Sequence, residues 1–286
     1  MKVHQSITND CLRAMQYNIE TKVYNGGSVR AVGTGYHKGL ETHYAARRDG
    51  LLLPTVDECV AAAIDEFDAV SSGAPSHSSE LEREAGVFKW NSRVPDRAFA
   101  HGVIETMVRS YFDNGHFWPL NYQVLGIECS FNLPWRNDHR RGGQIDLVLL
   151  EPSSGWLFID DQKTSSKNRW AKGKESPRKN LQAPWYFWAA QELFPGHVGA
   201  RFSFSIMLYN GTFERREATP TAAHIAAAED VLEQTVALYE VLRANGMDLP
   251  ANPGSNLCSP EWCDWFESVC PHGAALETPV SIGERL

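Results

Sequence analysis

Apolar side chains concentrate in two short runs, Gly143-Gln144-Ile145-Asp146-Leu147-Val148 and Leu157-Phe158-Ile159-Asp160-Asp161-Gln162-Lys163-Thr164, separated by Pro152-Ser153-Ser154-Gly155. Runs of this length bounded by turn residues predict a β-hairpin. Successive side chains on a strand alternate between its faces, so Asp161 and Lys163 share one face while Gln162 points away. Residues 122–133 read as a third strand just upstream, and residues 202–209 as a fourth.

Elsewhere the spacing is helical. Cys11, Met15 and Ile19 predict a helix over residues 6–24, with Ser6 or Thr8 as its cap. Gly26, Gly27 and Gly33 are expected to loosen the chain before a second helix over residues 36–48. On it His37 and Glu41 share a face and Leu40 and Tyr44 form a neighbouring face able to pack. Further helices are expected over residues 56–70, 103–112, 180–193 and 221–245; Pro184 is tolerable because it falls in a first turn. Residues 71–80, rich in Ser, Gly, Pro and His, read as a mobile loop, and residues 250–271 as an irregular tail. There is no internal repeat. Helices, then a strand meander, then a helix and another strand indicate an α/β core with a mixed sheet.

Composition narrows the class. The 286 residues are 43% hydrophobic and 22% charged, as in a water-soluble globular chain. No apolar run reaches the roughly 18 residues of a membrane span, and the first nine residues hold no apolar signal core. A cytoplasmic location is therefore expected, where six cysteines are thiols or metal ligands rather than disulfides. The net charge of −8 argues against a surface that coats nucleic acid indiscriminately. Yet Lys167, Arg169, Lys172, Lys174, Arg178 and Lys179 form a local basic run with Glu175 as its one acid, directly after Lys163. Its position favours phosphate contact over a merely solvated loop. Gly33-Thr34-Gly35-Tyr36-His37-Lys38-Gly39 matches neither a phosphate loop nor a dinucleotide fingerprint, so no ATPase activity is expected.

Four separated segments resemble the RecB-like branch of the PD-(D/E)xK nuclease superfamily, which includes the nuclease domains of RecB and AddB, the CRISPR-associated Cas exonucleases and many phage exonucleases. Gly33 to Glu41 is similar to that branch's Gly-Thr-x-x-His-x-x-x-Glu helix, Gly143 to Val148 to its Gly-x-x-Asp strand, and Asp161-Gln162-Lys163-Thr164 to its Asp-x-Lys-Thr strand end. Leu181 to Tyr186 matches its Gln-x-x-x-Tyr helix, on which Gln182 and Tyr186 fall one turn apart. The resemblance implies a restriction-endonuclease-like core, a mixed sheet flanked by helices, within a single nuclease domain over residues 1–286. Within it residues 1–50 carry Cys11 and His37, residues 51–120 form a helical insertion, residues 121–210 the catalytic core, and residues 211–286 a helix and a Cys-rich tail.

It further implies a metal-dependent deoxyribonuclease. His37, Asp146 and Asp161, with the Gln162 carbonyl, would hold one or two ions, and oxygen-rich ligation suits Mg2+ or Mn2+. Lys163 would position or activate the attacking water, and the face bearing Gln182 and Tyr186 would approach DNA. Glu128 is a further acidic candidate; Asp160 competes with Asp161, but its register relative to Lys163 is wrong. An exonuclease acting on DNA ends, beside a helicase or recombinase, is the leading expectation. A structure-specific endonuclease and a non-catalytic DNA-binding adaptor are the alternatives.

Cys258, Cys263 and Cys270, with Cys11 far upstream, form a one-plus-three set similar to the 4Fe-4S staple of AddB and the Cas exonucleases. Zn2+ on the same four thiolates, or unligated cysteines, are the alternatives, because gaps of four and six residues depart from the family's spacing. Cys59 and Cys129 are expected in the core. If the set holds a cluster, anaerobically purified protein is brown and Cys263→Ala loses the visible absorbance; a colourless wild-type protein containing stoichiometric zinc selects the other ligand.

Overall fold

The computed structural model describes residues 2–4, 23–24, 27–73, 84–85, 88–136, 139–166 and 181–250. The four cysteines of the staple set, the six residues of the basic run and most of the expected first helix lie outside the described residues. The elements in chain order are β1 (Lys2–His4), β2 (Val23–Tyr24), α1 (Ser28–Arg48), α2 (Val56–Ser71), β3 (Glu84–Ala85), α3 (Arg97–Asp113), β4 (Gln123–Pro134), β5 (Arg140–Glu151), β6 (Trp156–Ser165), α4 (Gln182–Leu193), β7 (Gly199–Leu208), β8 (Phe213–Ala218) and α5 (Ala222–Ala244).

Six strands form one mixed sheet. β4 pairs antiparallel with β5 and β5 antiparallel with β6, β7 is parallel to β6, and β8 returns antiparallel on the edge. Short β1 joins parallel to the first residues of β5. β2 and β3 pair separately, so Val23 and Tyr24, expected at the end of a helix, are extended instead. Helices cover both faces. On one, α1, α2 and α3 pack Leu40, Phe67, Ile104 and Tyr111 against Leu147, Leu149 and Phe158. On the other, α4 and α5 pack Trp185, Tyr186, Leu232 and Val236 against Ile145, Ile159, Phe202 and Phe204. This is the α/β core with a mixed sheet that the order of segments indicated, flanked by helices as the resemblance implied.

Helix α1 begins at Ser28, well before residue 36, and runs through Gly33 and Gly35. A glycine inside a helix costs roughly 1 kcal/mol relative to alanine, but here the missing side chains are what permit packing. A Cβ on Gly35 would lie 2.6 Å from the Ala63 carbonyl oxygen of α2, one on Gly39 3.0 Å from that of Cys59, and one on Gly33 3.2 Å from Thr164 Oγ1 of β6. Gly33 therefore brings α1 onto the sheet rather than loosening it. Helix α2 carries a complete capping box, Thr55 with Glu58. Helix α3 starts earlier than residue 103 because Asp96 caps it by accepting from Phe99 N–H at 2.8 Å. Strand β8 was not anticipated; its Phe-Glu-Arg-Arg-Glu-Ala composition hides an edge strand.

Asp160 faces the α1–α3 side. It is fully buried and accepts from Trp118 Nε1 at 3.0 Å and from the hydroxyls of Ser203 at 2.6 Å and Ser205 at 2.7 Å. Its oxygens are thus satisfied inside the protein, on the strand face opposite to Asp161. Cys59 is buried and Cys129 half-buried, and neither is in a disulfide.

Close packing of α1 on α2 gives a paired test. Gly35→Ala should destabilise the fold by about 1–3 kcal/mol through forced separation of the helices. Gly102→Ala, where a Cβ meets nothing within 4 Å, should stabilise by about 0.5–1 kcal/mol. Urea denaturation of both variants checks the pair.

Candidate active site

The β5–β6 ladder ends at Leu147↔Asp160, whereas β6 continues to pair with β7 as far as Ser165. Beyond that point the hairpin strands part, and backbone groups of β6 that would bond to β5 need other partners. The Gln162 N–H donates to Asp146 Oδ2 at 2.7 Å, and the Gln162 carbonyl accepts from His37 Nε2 at 3.0 Å. A carboxylate from β5 and an imidazole from α1 thus replace the missing ladder bonds, and they meet in the cleft between the strands.

With Nε2–H spent on that carbonyl, His37 Nδ1 faces acids, 3.5 Å from Glu128 Oε1 and 3.9 Å from Asp146 Oδ2. One ligand atom from each of His37, Glu128 and Asp146 lies within 4.8 Å of the others, the single such metal-capable group among the described residues. Asp161 stands outside this triad. Its Oδ2 is 2.5 Å from Lys163 Nζ, and its Oδ1 accepts from Gln182 Nε2 at 3.2 Å. Gln182 also donates to the Tyr186 hydroxyl at 2.9 Å. Tyr186 is 1% exposed, so the structure links it to the site through Gln182 and Asp161 rather than through an open surface.

The sequence-predicted His37, Asp146, Asp161, Gln162, Lys163 and Gln182 therefore converge on one cleft, fed from α1 on one face of the sheet and α4 on the other. Gln144 was passed over in the sequence, although it lies two residues before Asp146 and so on the same strand face. It donates from Nε2 to Glu128 Oε2 at 2.6 Å. Glu128 has φ of +45°, the only non-glycine residue with positive φ among the described residues. Holding a glutamate there costs roughly 1–3 kcal/mol.

Negative charge exceeds positive in this half-dry cleft, and protons make up part of the difference. Burial raises the Asp146 carboxyl to about 6 and that of Asp161 to about 7; facing acids add to the rise, and His37 and Lys163 oppose it. For His37 burial alone would lower the pKa, but Asp146 and Glu128 outweigh it and hold the imidazole at about 9. Lys163 is likewise opposed by burial yet raised by Asp161 and Asp146, so it stays an ammonium at neutral pH. The His37 imidazole and the Asp146 and Asp161 carboxyls, each drawn towards its protonated form, lie with the Gln162 carbonyl in a donor set that fits a divalent cation preferring oxygen ligands.

No family model and no curated protein matches the chain. Among solved structures it is similar to a crystal structure named "Putative exonuclease" from Eubacterium rectale, at 11% identity with a TM-score of 0.47 over 98% of this chain and 91% of that one. A second similarity is to the structure named SSO0001, at 15% identity with a TM-score of 0.34 over 63% of this chain and 73% of that one. Both overlaps are loose, and the chemistry of the site has to be read from this chain's own side chains.

The pKa shifts set a pH dependence for the metal-free fold. The His37 value of about 9 exceeds the roughly 6.5 of an unfolded chain, so its stabilising contribution is complete below about 6.5 and disappears as pH rises through about 9. Asp146 and Asp161 are also raised, and their contribution, complete below roughly 3.9, is lost as pH climbs through about 6 and 7. All three act in the same direction. Melting temperatures measured in chelator should fall between about pH 5 and pH 9, and Mn2+ should reverse the fall at the alkaline end, where it replaces the lost protons.

Proposed function

We propose that this chain is a metal-dependent deoxyribonuclease of the PD-(D/E)xK type, an exonuclease hydrolysing phosphodiester bonds at DNA ends during recombination, repair or phage DNA processing. The observation that carries the proposal is the parting of β5 from β6, which sets His37 and Asp146 around the Gln162 backbone with the Asp161–Lys163 pair beside them. Asp-x-Lys alone is a common surface ion pair. Here the aspartate is buried, bound also by Gln182, and the pair lies close to the carboxylate of Asp146.

His37, Asp146, Asp161 and the Gln162 carbonyl are the groups that would hold Mg2+ or Mn2+. Such an ion, when bound, lowers the pKa of water and neutralises charge on the phosphate oxygens. The protein's own part follows from the geometry. Hydrolysis needs water to attack phosphorus in line with the leaving oxygen, while negative charge grows on the non-bridging oxygens. Lys163 remains cationic at neutral pH, so it serves as a donor to that growing charge and to the attacking water rather than as the base. Asp161, fixed by Gln182, holds the ammonium in place. The basic run from Lys167 to Lys179 follows Lys163 along the chain and supplies phosphate contacts on the sequence evidence. By the resemblance to the AddB-type staple, Cys11, Cys258, Cys263 and Cys270 would hold a 4Fe-4S cluster, with Zn2+ as the alternative. No helix among the described residues is long and apolar enough to cross a membrane.

Digestion of end-labelled linear and closed-circular DNA with Mn2+ or Mg2+ tests the reading. Linear DNA should be lost progressively and circles spared, and Lys163→Ala should lower the rate by about 10² to 10³ while leaving DNA binding intact. Cleavage of circles would make the protein an endonuclease. Absence of any cleavage by anaerobically purified protein would make it a non-catalytic DNA-binding module.

A further inference from the structure

We infer that Glu128 is a ligand of the divalent ion in this cleft and that Gln144 is the positioning residue that aims it; the inference rests on the metal-dependent reading above. Three independent features of the β4–β5 pair point there. The first is charge. Ile127 is opposite Leu147 and Cys129 opposite Ile145, so Glu128 stands across from Asp146. Like charges directly opposite on an antiparallel pair repel, and both are largely withdrawn from water, with side chains 15% and 11% exposed. The second is backbone. Glu128 occupies left-handed space at φ +45°, a conformation in which glycine would be at ease and glutamate is not. Strain of this kind persists where the surroundings impose it. The third is aim. Gln144 binds Oε2, which leaves Oε1 directed at His37 Nδ1 and at the position shared with Asp146.

A residue that is both strained and repelled in the metal-free chain is accounted for by a cation that joins its carboxylate to that of Asp146. Neutral Gln144 suits the positioning part. Its amide donates to one carboxylate oxygen without competing for the ion, in the manner of residues that orient metal ligands from behind. Glu128 therefore adds a third carboxylate to the two contributed by the hairpin, on the side of the cleft nearest α1.

The test uses the full chain, with Mn2+ titrated calorimetrically and melting followed with and without the metal. Glu128→Gln should weaken Mn2+ binding by at least about tenfold, and Gln144→Leu by about tenfold. The double variant should be no weaker than Glu128→Gln alone, because Gln144 acts through Glu128. Glu128→Gly separates a ligand from a merely structural residue. Relieved of strain, it should melt higher than wild type in chelator yet gain less from Mn2+. Wild-type affinity in both Glu128 variants, with Asp146→Asn defective, would overturn the assignment of Glu128 and leave the nuclease reading standing. A wild-type chain that neither binds Mn2+ nor cuts DNA would overturn both.

Discussion

The parting of β5 from β6 after Leu147 and Asp160 is the constraint on which the site depends. A hairpin that stayed zipped would satisfy the Gln162 backbone from β5 and leave no cleft. Once the strands diverge, two backbone groups with no ladder partner must find others, because a buried amide left unpaired costs about 1–3 kcal/mol. Asp146 takes the N–H and His37 takes the carbonyl. The bonds that mend the gap in the sheet are the same bonds that assemble the candidate ligands, so the geometry of the site is held by the completeness of backbone hydrogen bonding. Parallel pairing of β6 with β7 up to Ser165 keeps Asp161 and Lys163 in register while the other edge is open.

Adjacent acids on β6 show what the alternation of a strand does to chemistry. Asp160 and Asp161 differ in sequence position by one and in environment completely. Asp160 meets three donors in a closed core and becomes a structural acceptor. Asp161 is just as deeply buried, yet its partners are Lys163 and Gln182, and its pKa rises to about 7. A buried ion pair is weak evidence for stability, since apolar residues of equal size often do as well or better. The Asp161–Lys163 pair, joined to Gln182 and close to Asp146, is therefore not explained by fold stability alone.

Much of this was legible in the sequence because it depends on local periodicity. The hairpin, its turn at Pro152 to Gly155, the strand over residues 122–133 and the helix bearing Gln182 follow from runs of apolar residues and their punctuation, and the shared face of Asp161 and Lys163 follows from a period of two. What escaped depends on tertiary contact. Gly33 reads locally as a point where the chain loosens, but in the fold it and Gly35 are the contact surface of α1, and only the proximity of Thr164 and Ala63 reveals it. Strand β8 was hidden by its run of four charged residues, which find partners only in the fold: Arg216 pairs with Glu214, and Arg215 lies 4.0 Å over the Trp118 ring. Gln144 had no visible role because its partner, Glu128, is sixteen residues away along the chain.

Charge balance ties these pieces into one argument about state. Without a metal, the cleft holds three carboxylates against Lys163 and a histidine held at about 9, so protons on His37, Asp146 and Asp161 carry part of the neutralisation. A divalent cation held here would compete with those protons for the same lone pairs. Its binding would therefore release protons and be favoured as pH rises. His37 shows the exchange most clearly. Its Nε2–H is committed to the Gln162 carbonyl, so loss of the Nδ1 proton frees a lone pair directed at Glu128 and Asp146, the two groups with which it would share an ion. The proton on Nδ1 occupies the place that a shared metal ion would take, between the carboxylates of Glu128 and Asp146.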